Sequence, residues 1–133
     1  MPPAQTCANL SQTGKYKKYD DLEEDSYLRH LPRFQPEVFD ENIKLFHAVE
    51  DMAKQKEVTP AQIALGWVLY QSGKPGMPTF IPIPGATTSA RIEENMKPAA
   101  LSEEDMKTLG EFLEKFPAIG GRYPEAMSKH LFA

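Results

Sequence analysis

Apolar positions recur at helical spacing from about Pro36 to Lys56. Phe39, Ile43, Phe46, Val49 and Met52, with Ala53 beside it, form one stripe along an otherwise polar segment. The pattern predicts an amphipathic helix, and Pro36 suits its first position, where no helical N–H is needed. A second helix is predicted from Thr59-Pro60-Ala61-Gln62, which reads as an N-cap, a first-turn proline and a capping box. Its continuation, Ile63 to Leu69, is apolar on nearly every face, so it requires packing partners on several sides. Thr79-Phe80-Ile81-Pro82-Ile83 is a continuous apolar run and the one strong strand candidate. Pro82 argues against a central antiparallel position for it. A short helix is predicted over about 89–95. Another begins at Ser102, with Glu103, Glu104 and Asp105 where the helix dipole favours acids, and Met106, Leu109, Phe112 and Leu113 form its stripe.

The segments around these helices lack periodicity. Residues 1–35 are expected to be irregular, with a few anchoring aromatics, and the tail over 116–133 likewise. Four helices and one strand do not make a sheet. The pattern leaves either a helical domain or part of a larger α/β design.

Composition narrows the class. Of 133 residues, 41% are hydrophobic and 26% charged, as in a globular chain with a core. The net charge of −4, with no basic run, argues against nucleic acid or an anionic membrane as partner. No apolar run is long enough to span a bilayer. The N-terminus lacks the charged start and apolar core of a signal peptide, so a cytoplasmic location is expected. Cys7 stands alone, so no internal disulfide is expected. His47 flanks the first helix's stripe without a second ligand at i±4 and reads as a boundary residue. No metal site is expected.

Candidate chemistry lies in FIPIPGATTSARIEEN, residues 80–95. An apolar run meets a proline-glycine turn, then two threonines, then a helix start carrying Arg91, Glu94 and Asn95. Free N–H groups and the positive end of a helix at such a turn suit a phosphate, and the Arg91 fork fits its oxygens. The same residues also fit plain turn geometry, with Glu94 as the i,i+3 partner of a solvated Arg91.

Five motifs in order resemble the aldo-keto reductases: TGKYK at 13–17, RHLPRFQPEVFDENI at 29–43, VTPAQIALGWVL at 58–69, FIPIPGATTSARIEEN at 80–95 and LSEEDMKTL at 101–109. The tail FPAIGGRYPEAMSKHLFA is similar to fungal members of the pyridoxal reductase-like branch. The resemblance covers about 13–115. It implies an α/β fold in which residues 36–115 are the C-terminal part of a (β/α)8 TIM barrel, helix-rich as it stands, with 79–83 as the last strand. It implies NADPH as cofactor and reduction of aldehydes or ketones to alcohols. By the same resemblance Arg91 pairs with the adenosine 2′-phosphate, Glu94 and Asn95 face the adenine, and Gly85, Ala86, Thr87 and Thr88 cradle the phosphate. Many members carry Lys-Ser where Gly85-Ala86 stand, which weakens the expected preference for NADPH over NADH. The family's catalytic Asp, Tyr, Lys and His have no counterpart among these residues, so no catalytic residue is expected. Residues 4–12 do not match the family's diphosphate-covering loop. That abrupt start near Thr13 is the pattern of a truncated product or a mispredicted gene model. Two other readings stand beside the reductase: a non-catalytic helical interaction module, self-associating through exposed apolar surface, and an NADPH-binding regulatory fragment.

Overall fold

The computed structural model describes residues 16, 18–121 and 123–125. Most of the TGKYK motif, the segment over 4–12 and the end of the tail lie outside them. Four helices are present among the described residues: α1 (Pro36–Gln55), α2 (Pro60–Ser72), α3 (Ser89–Asn95) and α4 (Glu103–Lys115). Each begins where local chemistry starts a helix. Pro36 opens α1. Thr59 and Gln62 form a reciprocal capping box on α2, and Ser102 and Asp105 form one on α4. Thr88 caps α3 through the Arg91 N–H at 3.3 Å.

The 20-residue α1 is the spine, and it serves two cores. On one side it places Phe39, Ile43 and Phe46 against Leu22, Leu31 and Phe34. Further along it places Leu45, Val49, Met52 and Ala53 against Ile63 of α2 and Leu109 of α4. The helix ends in a Schellman motif. Glu57 takes φ 55, Val58 N–H donates to Ala53 O at 3.0 Å, and Glu57 N–H donates to Lys54 O at 3.2 Å.

The stretch before α1 is built from three 3-10 turns, Tyr19–Asp21, Tyr27–His30 and Pro32–Phe34. Arg29 fastens them. Its Nε donates to Glu23 O at 3.0 Å, and its guanidinium lies over the Tyr19 ring at 4.7 Å. Asn42, on α1, is buried yet fully used. Its Nδ2 donates to Arg33 O at 2.8 Å and Ile119 O at 2.9 Å, and its Oδ1 accepts from Ile119 N–H at 2.7 Å. This one amide therefore joins the N-terminal turns, α1 and the segment after α4.

The structure corrects the expected strand. Residues 79–83 form no strand, and no strand is present among the described residues. Ile81 is 82% and Ile83 93% exposed. A strand exists only as part of a ladder, and this segment has no neighbour to pair with here. Pro78, Pro82 and Pro84 also remove ladder donors. The described residues are thus helical rather than α/β. The requirement for partners around α2 is visible as well: only Ile63 and Gly66 of that helix are buried, and Leu69 is 40% exposed.

Candidate cofactor-binding site

The loop from Gly85 to Thr88 leads into α3 and is exposed throughout. Among the described residues, no hydrogen bond uses the N–H groups of Gly85, Ala86 or Thr87. They are available donors beside the start of α3. The Thr88 hydroxyl is occupied as the cap, so its contribution is to fix the turn. Asn95 closes the segment on itself, its Nδ2 donating to Gly85 O at 3.4 Å. The structure therefore brings Gly85 and Asn95, ten residues apart in sequence, to one place.

Arg91 and Glu94 form an i,i+3 ion pair, with Nη1 to Oε2 at 3.4 Å. Their side chains are 41% and 20% exposed. This is the partnership that plain helix geometry predicts, and it coexists with a half-exposed guanidinium beside the loop. An exposed pair of this kind contributes little to stability, so the contact with Glu94 is a weak competitor for an incoming anion. The donor set of one guanidinium and several unused backbone N–H groups suits a phosphate. Two cavities, one among Leu45, Val49, Ile63 and Trp67 and the other beside Tyr70, Lys74 and Met106, include none of residues 85–95. The loop is an open surface rather than an enclosed pocket.

Sequence reasoning missed the attachment of α3 to α2. Gln62 Nε2 donates to Lys97 O at 2.7 Å and to Glu94 O at 3.4 Å. Ala99 N–H donates to Gln62 O at 3.0 Å. Nothing in the local pattern around Gln62 signals partners so distant in the chain.

His47 behaves as a boundary residue, 3.7 Å from Glu50 and with its ring 5.8 Å from that of Phe46. Among the described residues no cluster of His, Cys, Asp or Glu could hold a metal, and no helix is long and apolar enough to cross a membrane.

The model of the aldo/keto reductase family matches residues 5–114, so the chain belongs to that family. The match begins before Thr13, which corrects the expected abrupt start of the resemblance there. The chain is 34% identical over 122 residues to the aldo-keto reductase yakc [NADP(+)] of Schizosaccharomyces pombe, covering 90% of this chain and 34% of that protein. It is 36% identical over 106 residues to a probable aldo-keto reductase 1 of Glycine max, covering 78% of this chain and 29% of that protein. It is 34% identical over 125 residues to a probable pyridoxal reductase 2 of S. pombe, covering 90% and 36%. The chain thus spans about a third of the length of these relatives. No solved structure matches it significantly.

Proposed function

We propose that this chain carries the adenosine 2′-phosphate end of an NADPH site, within the C-terminal part of an aldo-keto reductase barrel. The observation that carries the reading is the segment 85–95 in a family member. The N–H groups of Gly85, Ala86 and Thr87 are unused among the described residues, Arg91 is half exposed beside them, and Asn95 folds back on Gly85. The relative from S. pombe whose name includes NADP(+) supports the choice of cofactor. In this reading Arg91 binds the 2′-phosphate as a charge-assisted fork, and Glu94 and Asn95 orient the adenine. NADPH supplies the hydride when bound. These residues hold and orient it, and in a whole barrel the reaction is reduction of an aldehyde or ketone.

The catalytic tetrad of the family is not among these residues, so the 133 residues bind the cofactor end without turning it over. The test is calorimetric titration of the chain with adenosine 2′,5′-bisphosphate and with 5′-AMP, alongside NADPH oxidation with an aromatic aldehyde or pyridoxal. Tighter binding of the bisphosphate with no turnover is expected. Equal affinity for both nucleotides overturns the site. Turnover that a single Tyr→Phe change abolishes overturns the absence of chemistry.

A further inference from the structure

Gln62 stands in the first turn of α2, and its sequence context assigns it one task, the capping box. In the structure its side chain has two. Oε1 accepts the Thr59 N–H at 3.0 Å, which is the cap. Nε2 donates to Lys97 O at 2.7 Å and Glu94 O at 3.4 Å, which is a tether. The partners fix the amide's orientation. An N–H faces one end and two carbonyls face the other, so a flipped amide would reverse every contact.

The tethered carbonyls belong to the last turn of α3 and the residues leaving it: Glu94 O also accepts the Lys97 N–H at 3.1 Å, and Lys97 O lies beyond the helix end. Gln62 also holds the following segment through its own carbonyl, which accepts Ala99 N–H. One turn further along α2, Gly66 leaves room for Ala99 to lie against the helix. At 7 residues, α3 is too short to persist alone, so its placement follows from what its ends bind. Arg91, Glu94 and Asn95 all ride on it.

We propose that Gln62 is a positioning residue for the nucleotide site: it holds α3 so that Arg91, Glu94 and Asn95 face a common ligand. The inference rests on the reading of residues 85–95 as the 2′-phosphate end of the cofactor site.

Two substitutions separate tether from cap. Gln62→Glu keeps an oxygen for the Thr59 N–H and places a negative charge where the helix dipole favours one. It removes both N–H donors and sets a carboxylate against two carbonyls. Thr59→Ala does the reverse, removing the cap hydroxyl and keeping the tether. Both variants of the full chain are titrated with adenosine 2′,5′-bisphosphate. Amide hydrogen exchange is followed without nucleotide at Met96 and Lys97, whose N–H groups bond Ile92 O and Glu94 O.

Gln62→Glu is expected to weaken binding about three- to tenfold, the scale of one lost neutral hydrogen bond. It speeds exchange at Met96 and Lys97 while melting temperature holds. Thr59→Ala lowers the melting temperature and leaves affinity within about twofold, since a cap acts on helix stability. Unchanged exchange at Met96 and Lys97 in Gln62→Glu overturns the proposal. So does a loss of affinity in the two variants that merely tracks their melting temperatures. If the parent chain binds no bisphosphate, the reading of the loop fails, and the exchange measurement still decides the tether.

Discussion

Gly66 lies against the backbone of Ala99 so closely that a Cβ at position 66 would collide with the Ala99 carbonyl oxygen. The listener on the other side is backbone, so the clash cannot be relieved by a side chain turning away. Gly66→Ala gains up to about 1 kcal/mol of helix propensity. It must also push residues 97–101 off α2, straining the Ala99-to-Gln62 hydrogen bond. A net destabilisation of about 1–3 kcal/mol is expected, the range for overpacking a tight contact. Urea denaturation of the two proteins measures it, and a variant as stable as the parent contradicts the contact.

The helices were legible in the sequence because their signals are local. Pro36, the Thr59-Pro60-Gln62 box and Ser102 with three acids behind it each act within one turn, and each stands where a helix begins. The strand was not legible as an outcome, because pairing depends on residues distant in the chain and Ile81 and Ile83 here have none. Leu22, Leu31 and Phe34 are buried without any period to announce it, since 3-10 turns change the spacing from one to the next. Asn42 carried a signal that could have been read. It lies three residues after Phe39 and four before Phe46, on the buried face, where a polar residue needs partners. The segment proposed as the site, Gly85 to Asn95, stands out in the sequence because its turn and helix start are local. Its support by Gln62 does not, because the acceptors at Glu94 and Lys97 are reached only through folding.

Asp105 ties the start of α4 to the end of α1. Its carboxylate meets Lys56 Nζ at 2.7 Å and accepts from the Ser102 N–H at 2.7 Å and the Ser102 hydroxyl at 2.9 Å. Burial pushes the carboxyl up, but Lys56 and Ser102 together outweigh burial and hold it below its ordinary value. A depressed folded value means the contribution is present above the ordinary carboxylate range and is lost as pH falls through the folded value. Asp105→Asn keeps an acceptor for Ser102 and removes the charge. It is expected to cost about 0.5–1 kcal/mol at neutral pH, the scale of a partly exposed ion pair. The difference from the parent should vanish as pH falls through the lowered folded value. Thermal melts across that range check it. A gap that stays constant into acid removes the charge from the account.

Ile81 and Ile83 present apolar side chains to solvent on a segment that joins no strand ladder among the described residues. Exposed apolar surface of this kind drives association. The chain is expected to self-associate with rising concentration, and Ile83→Lys is expected to shift it towards monomer while leaving helicity unchanged. Sedimentation or size-exclusion chromatography over a concentration series reads the difference. A parent that stays monomeric throughout rules out association through this segment.

Arg91 and Glu94 make the sharpest test of the cofactor reading, because the structure already gives each a role without a ligand. Their ion pair at 3.4 Å is a surface contact, so breaking it changes stability by no more than about 1 kcal/mol. Loss of either residue should therefore leave folding intact and report on binding alone. In the proposed reading Arg91→Ala removes the phosphate's guanidinium partner, and it is expected to weaken adenosine 2′,5′-bisphosphate by about 1–3 kcal/mol, the range for a charge-assisted hydrogen bond. It should change 5′-AMP much less. Glu94→Ala and Asn95→Ala remove groups assigned to the adenine and should weaken both nucleotides alike. Asn95→Ala also releases the hydrogen bond to Gly85 O, so its loss should equal or exceed that of Glu94→Ala. Calorimetry of the three variants with the two nucleotides gives a pattern of six affinities. If Arg91→Ala costs the same for both ligands, Arg91 does not read the phosphate, and its pairing with Glu94 is ordinary helix-surface geometry.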